Sequence, residues 1–355
     1  MTRAKEHLHI SYHASDLKGK DIMKSLYVSE IEGKVPVNFE RISLSNEDIV
    51  TYAFQTLVTP IEIDRKFIEL EFVKNKLKSY KLSVTHLSKY LKCPLTFYFE
   101  NILQVPAARS PGMGFGNAIH YAMERLFKTM QDSGTQTFPP ISEFVRFFNM
   151  GLSYNASHFT EKEYQLKVDY AKELLPEFYN FYAPQWHKVV VTEYRPSNVV
   201  MEHVPLSGAL DKLEFHGNEV NVVDYKTGSP ENISKKLKRP KEGATLEECS
   251  FEEVYGGDYW RQIVFYKILM DNDRTKNWSM TSGEVDFIEK RNSKEFKKEK
   301  ITVTPDDIRL LKEQIHYTWD GIMSHQFTGC GKEDCQWCTF VKNNYKSAIA
   351  VDDEL

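Results

Sequence analysis

The residues best placed to do chemistry are two aspartates and a lysine in neighbouring segments, Gly208-Ala209-Leu210-Asp211-Lys212-Leu213-Glu214 and Val222-Val223-Asp224-Tyr225-Lys226-Thr227-Gly228. Between them, Gly217-Asn218 is a natural two-residue hairpin turn. That turn predicts a register in which His216 pairs with Glu219, Leu213 with Val222 and Asp211 with Asp224. Directly opposed residues share a face, with Cβ atoms about 5 Å apart. Lys226, two residues beyond Asp224, points to the same side. Two carboxylates this close repel strongly in a mostly buried sheet unless a cation lies between them. Ligands that are all oxygen suit Mg2+ or Mn2+. A lysine alongside can steady charge developing on an attacked phosphate or position the attacking water. The plainer alternative is an exposed hairpin carrying an ordinary Asp–Lys pair.

Two further elements fit the same place. Gly116-Asn117-Ala118-Ile119-His120 opens a helix predicted over about 117–131, with apolar Ile119, Met123, Leu126, Phe127 and Met130 at helical spacing. His120, and Glu124 one turn later, could project from it toward the sheet. Gln262 and Tyr266 are four residues apart on a helix predicted over about 258–270, so they share a face. Taken singly, each of these is ordinary packing.

Together the four elements resemble the RecB-type branch of the PD-(D/E)XK nuclease superfamily. That branch runs G-x-x-x-H helix, G-x-x-D strand, D-x-K strand and Q-x-x-x-Y helix, matched here by Gly116/His120, Gly208/Asp211, Asp224/Lys226 and Gln262/Tyr266. The segment from Leu82 to Pro94 is similar to the usual start of such domains, and the resemblance covers about residues 82–340. It implies an α/β, restriction-endonuclease-like mixed sheet flanked by helices, with a helical lead-in. It also implies that His120, Asp211, Asp224 and the Tyr225 carbonyl hold metal, that Lys226 is the catalytic lysine, and that Gln262 and Tyr266 complete the catalytic set.

The N-terminal run Thr2-Arg3-Ala4-Lys5-Glu6-His7-Leu8-His9-Ile10 resembles the last conserved motif of UvrD/Rep-type superfamily 1 helicases, whose arginine touches the ATP γ-phosphate. Arg3 would be that arginine. No G-x-x-x-x-G-K-[ST] loop accompanies it, so no ATPase activity is expected from this chain alone.

Cys330-x4-Cys335-x2-Cys338, with Cys93 far upstream, resembles the iron–sulfur staple of AddB-type nucleases, in which one early cysteine joins three late ones around a [4Fe–4S] cluster. The usual late pattern is C-x2-C-x5-C. Here the sixth position after Cys338 is Asn344, leaving Cys330 as the available substitute. A zinc site and free thiols remain open alternatives, and Cys249 lies outside the group. Lys235, Lys236, Lys238 and Arg239 follow the D-x-K strand, and Lys290, Arg291, Lys294, Lys297 and Lys298 follow the last core strand. Such runs are usually solvated loops. Beside a phosphodiester-cutting site they are candidates to hold backbone phosphates, with Tyr259 and Trp260 as stacking platforms.

The elements that must position these groups follow from periodicity. Ser83 caps a helix with stripe Leu87, Tyr90 and Leu91, stopped by Pro94. Residues 141–183 read as mostly helical, and strands are predicted at 189–191, 208–216, 220–227, 284–289 and 299–303. Thr304-Pro305-Asp306-Asp307 opens a last helix with stripe Ile308, Leu311, Ile315 and Ile322. The chain has 355 residues, 41% hydrophobic and 27% charged, with five cysteines, ordinary values for a globular protein in a reducing compartment. No apolar run reaches membrane-span length and no secretory segment opens the chain, so a cytoplasmic location without a membrane is expected. A formal charge of −4 does not advertise DNA binding, but a basic groove can sit on an acidic protein.

The expected organisation is a helicase-motor remnant and linker over 1–80, a nuclease domain over 81–345 and a tail over 346–355, the whole forming the C-terminal part of a longer helicase–nuclease. The expected activity is divalent-metal-dependent hydrolysis of DNA phosphodiesters, exonucleolytic in kind, in repair or recombination. Expected partners are DNA, helicase motor domains in cis and a second helicase–nuclease subunit. The rival reading is a catalytically silent module that grips DNA or couples a helicase to a partner.

Overall fold

The computed structural model describes residues 69–106, 109–228, 230–290 and 295–344, with short stretches before residue 51. Arg3, Arg291, Lys294 and the 346–355 tail lie outside the described residues. The chain divides into two units, Met1–Arg65 and Lys66–Leu355. Within the first, helix α1 spans Leu26–Ile31.

The second unit opens with α2 (Leu70–Leu77) and α3 (Val84–Lys92). The Ser83 hydroxyl accepts from the His86 amide at 3.3 Å, and α3 buries Leu87, Tyr90 and Leu91 as its spacing predicts. Cys93 ends α3 in an extended conformation and caps α4 (Pro94–Phe97), whose proline occupies a first-turn position where no amide is missed. A wide π-type turn, Tyr98–Ile102, follows. Three helices come next: α5 (Pro111–Asp132), α6 (Ile141–Tyr154) and α7 (Glu161–Tyr182). The strands are β1 (Val190–Tyr194), β2 (Val199–Met201), β3 (Val204–Leu206), β4 (Leu210–His216) and β5 (Glu219–Lys226). Then come α8 (Ile233–Lys236), α9 (Phe251–Tyr255), α10 (Asp258–Asp271), β6 (Ser279–Phe287), β7 (Lys298–Ile301), α11 (Pro305–Met323) and α12 (Gln336–Asn344).

Five strands form one mixed sheet in the order β1-β4-β5-β6-β7, antiparallel except for the parallel β5–β6 pair. The β4–β5 register is the predicted one, with His216 opposite Glu219 and Leu213 opposite Val222, and Gly217 takes the positive φ of 67° that the tight turn requires. The parallel pair needs a crossover, which α8, α9 and α10 supply. β5 is buried on both faces. Its Val220 and Val222 join a cluster with α3, α10 and α11, while Val223 and Tyr225 join α5, α6 and α7. The sheet is thus sandwiched between two helical layers, the mixed α/β architecture expected.

Three elements differ from the sequence reading. Helix α5 starts at Pro111, not near residue 117, because the Ser110 hydroxyl caps the Met113 amide at 3.2 Å and proline sets the first turn. β6 begins at Ser279, five residues early, where Ser279 already pairs with Glu219. The β2–β3 hairpin escapes the sequence pattern, since its two three-residue strands are too short for alternation to register. Its Leu206 bridges in parallel to Leu82, tying the hairpin to the lead-in to α3.

One buried charge holds the helical layer together. Arg261 on α10 is fully buried. It donates to Gln314 on α11 (3.3 Å), Ser88 on α3 (3.0 Å), Asp258 (3.0 Å) and the carbonyls of Tyr255 (2.9 Å) and Gly256 (2.8 Å). Removing it leaves the Gly256 carbonyl and the Gln314 amide oxygen without this donor in the core, while the Tyr255 carbonyl keeps Gln314 Nε2 at 3.0 Å. Arg261→Met is therefore expected to cost about 3 kcal/mol and to lower the melting temperature by roughly 6–12 °C. A thermal melt within about 2 °C of wild type would show the network to be dispensable. Among the described residues no helix is long and apolar enough to cross a membrane.

Candidate active site

Asp211 and Asp224 lie where β4 and β5 run past the end of their ladder, whose last pair is Lys212 opposite Val223. Asp211 turns its Oδ2 to the Tyr225 amide at 2.9 Å, which fixes the β5 backbone beside the two carboxylates. Gly208 makes room for the helix behind: a Cβ there would stand 2.5 Å from Leu269 Cδ1 on α10. That close approach brings Gln262 and Tyr266 onto Asp224. Gln262 Nε2 donates to Asp224 Oδ1 at 2.8 Å and to the Tyr266 hydroxyl at 2.6 Å, and that hydroxyl donates to the same Oδ1 at 2.9 Å. Lys226 Nζ donates to Gln262 Oε1 at 2.7 Å, so the amide can point only one way, and lies 2.7 Å from Asp224 Oδ2.

From the other helical layer, α5 delivers His120, whose Nδ1 is 3.3 Å from Asp211 Oδ2. The glycine that matters sterically on α5 is Gly114, where a Cβ would meet Phe159 at 2.6 Å. At Gly116 it would meet only the Thr227 hydroxyl, at 3.4 Å. Glu124 is committed to an ion pair with Lys128. Its place is taken by a residue that sequence reasoning misses, Glu193 on β1. One ligand atom each from His120, Glu193 and Asp211 lies within 4.8 Å of the others. Glu193 falls between the β1–β4 pairs Thr192–Lys212 and Tyr194–Leu210, so it stands opposite Asp211. Its φ of 50° is unusual inside a strand, which is why strand patterning alone does not expose it.

The electrostatics are those of crowded carboxylates. Burial pushes Asp224 above the usual carboxylate range and Asp211 adds to this, against the pull of Lys226. Burial, then Asp211, likewise raises Glu193. Burial disfavours the charged form of His120, but Asp211 and then Asp224 outweigh it and hold the imidazole at about 8. Burial works against Lys226 too, and Asp224 keeps it charged. Asp224 Oδ2 is buried and accepts no aligned hydrogen bond despite the nearby ammonium. A buried carboxylate oxygen with a free lone pair, beside two more carboxylates and an imidazole, is a donor set that fits a hard divalent cation.

The remaining sequence candidates divide. Lys236 donates to the Tyr259 hydroxyl at 2.9 Å, and Lys236 and Lys226 lie 4.7 and 5.1 Å from the Tyr259 ring centre. This ring lines a cavity of about 750 Å3 that runs from Lys226 and Gln262 past Lys92 to Cys93 and Cys335. Trp260 is not a stacking platform. It is fully buried and donates to Asp307 at 2.8 Å, because α10 is packed on almost every side. Arg239 is committed to the same Asp307 by two bonds of 2.7 and 3.1 Å, while Lys235 pairs with Glu252 and Lys238 with Glu253 on the surface. Lys290, Lys297 and Lys298 pair with Glu177, Glu299 and both Glu284 and Asp286.

The four cysteines converge. Cys93 Sγ is 3.7 Å from Cys338 and 3.8 Å from Cys335, Cys330 is 3.7 Å from Cys338, and all four sulfurs lie within 4.8 Å of one another. Cys330 thus fills the position that the spacing left open, and Cys249 is not in the group. Thiolates around one tetrahedral ion, each 2.3 Å from it, stand about 3.8 Å apart. A [4Fe–4S] cluster binds each thiolate to a different iron and spreads the sulfurs wider.

Comparison with known proteins agrees with this geometry. The sequence model of the PD-(D/E)XK nuclease superfamily matches residues 81–342. A curated relative, an ATP-dependent helicase/deoxyribonuclease subunit of Carboxydothermus hydrogenoformans, is 22% identical over 265 residues. The match takes in 66% of this chain but only 22% of the relative's length. A solved structure from Eubacterium rectale, provisionally described as an exonuclease, aligns over 79% of this chain and 94% of its own, at 13% identity and a TM-score of 0.43.

Proposed function

The chain belongs to the PD-(D/E)XK nuclease superfamily, and from that premise we propose that residues 81–345 hydrolyse DNA phosphodiesters with the help of Mg2+ or Mn2+. The observation that carries this reading is Asp224, buried, with one oxygen fixed by Gln262 and Tyr266 and the other held only by the Lys226 ammonium at 2.7 Å. His120, Asp211, Asp224 and the Tyr225 carbonyl would hold the ion, with Glu193 within reach of it. Such an ion, when bound, draws charge from the scissile phosphate and acidifies water. Lys226, the ammonium beside Asp224, would steady the charge that builds on the phosphate oxygens. Gln262 and Tyr266 touch no substrate in this scheme. They hold Asp224 in one rotamer, so that its second oxygen faces the ion. Tyr259, between Lys226 and Lys236, would stack a base while the two ammonium groups face its phosphates.

The helicase context is part of the proposal. The relative's name and the Arg3 motif support a nuclease domain that works next to helicase motors, in cis or in a partner subunit, in DNA repair or recombination, with residues 1–80 as the junction and 346–355 as a tail. The four cysteines would close round a single zinc-class ion. The test is direct. The purified chain should cut labelled DNA with Mg2+ or Mn2+ and stop when a chelator is added. Failure to cut single- or double-stranded DNA with any divalent ion would replace this reading with the silent, DNA-gripping module.

A further inference from the structure

A third cluster of metal-binding side chains lies outside both sites described above. Glu202 and His203 form the two-residue turn of the β2–β3 hairpin, between the paired residues Met201 and Val204. Facing them on α11 is His316, whose Nε2 is 2.9 Å from Glu202 Oε2. The rings of His203 and His316 stack with centres 5.2 Å apart and planes 24° from parallel. One ligand atom from each of the three residues lies within 4.8 Å of the others. Lys312, one turn before His316, reaches the other Glu202 oxygen at 3.3 Å, and its ammonium, ahead of His316, holds the Glu202 carboxyl below its usual range.

We propose that Glu202, His203 and His316 form a third metal site, taking one zinc-class divalent ion between the hairpin and α11. The donor set selects the class. Two imidazole nitrogens among three donors suit Zn2+, whereas Mg2+ and Ca2+ favour sites in which oxygen predominates. Ligand atoms 2.1 Å from a tetrahedral ion stand about 3.4 Å apart, so three side chains already within 4.8 Å can close on one ion once the stacked His203 and His316 rings turn toward it. The backbones that carry them are fixed beforehand. Val199, Met201, Val204 and Leu206 of the hairpin are buried, its Leu206 bridges to Leu82, and α11 starts from a capping box at Thr304. The ion would replace the His316–Glu202 contact and displace Lys312, leaving one position to solvent. Because β3 runs directly into the Gly208–Asp211 segment, such a clip would brace the approach to the carboxylate site from outside it. Zinc binding here does not depend on whether the chain cuts DNA.

Zinc titration of the full chain, followed by calorimetry and melting temperature, tests it. Wild type should take up one more Zn2+ than either His203→Ala or His316→Ala. The affinity of that last zinc should fall on the order of 100-fold on loss of either imidazole, since removing even an outer partner of a ligand costs 10–100-fold. Zinc should raise the melting temperature of wild type more than that of either variant. Lys312→Met removes the competing ammonium and should tighten the binding. Equal zinc uptake by wild type and either histidine variant, or no tightening in Lys312→Met, would overturn the proposal. His203 is exposed and His316 half-buried, so the zinc-free variants should melt with wild type.

Discussion

Asp224→Asn is expected to leave a folded chain that no longer cuts DNA, with kcat down about 1,000-fold or more, equivalent to roughly 4 kcal/mol of transition-state stabilisation. The amide oxygen can still accept from Gln262 and Tyr266, so the local network persists. What disappears is the charge on Oδ2, the buried oxygen with no aligned partner. The fold should tolerate this. Asp224 in its charged form bears the cost of burial and the repulsion of Asp211, offset by Lys226, and neutralisation removes all three together. Lys226 loses the carboxylate at 2.7 Å, however, so a loss of about 3 kcal/mol of stability is expected, as when one partner of a buried pair is removed. Lys226→Met should cost a comparable factor in rate with the metal ligands untouched. Cleavage that survives both substitutions, measured on the same DNA under Mg2+ and Mn2+, would mean that the reaction occurs elsewhere on the chain.

Much of the carboxylate site is legible in the sequence, because hairpin registers are set by their turns. Gly217-Asn218 leaves one two-residue loop, and from it Asp211 and Asp224 fall opposite each other without further assumption. Gln262 and Tyr266 follow from helical spacing. Glu193 does not, since nothing in Val190–Tyr194 says that its fourth residue adopts a positive φ and turns toward a histidine on α5. Trp260 is misread for a related reason. Helix α10 is buried on nearly all sides, so polar and apolar residues do not sort to faces, and a tryptophan beside a tyrosine reads as exposed when it is core. The start of α5 is obscured by Gly112, Gly114 and Gly116, which look like a loop, although Ser110 and Pro111 give the stronger signal.

The cysteine cluster can be read from the sequence only as a set of possibilities, and its test carries the second large effect. The purified chain is expected to be colourless and to contain one zinc bound by Cys93, Cys330, Cys335 and Cys338. Cys93→Ser and Cys335→Ser should each release that zinc and lower stability by about 4 kcal/mol, a melting shift of roughly 8–16 °C. The size follows from what the clip joins. Cys93 lies between α3 and α4, and its partners come more than 200 residues later, so releasing them frees a loop for which cross-link entropy is near its largest. Part of the junction would survive without the ion. Trp337 stacks on Phe99 at 4.1 Å and donates to Glu100 at 3.1 Å, and the Leu95 amide reaches the Thr328 carbonyl at 3.1 Å. Those contacts are why partial unfolding at the two ends, rather than collapse of the sheet, is the expected consequence. Brown protein with four irons per chain would replace zinc by the [4Fe–4S] cluster that the family resemblance implies. Metal-free protein whose stability is unmoved by Cys335→Ser would reduce the group to four thiols in contact. Because the same cavity reaches from Cys93 and Cys335 to Lys226 and Tyr259, loss of the ion should also weaken DNA binding, and Cys249→Ser, outside the group, should change neither.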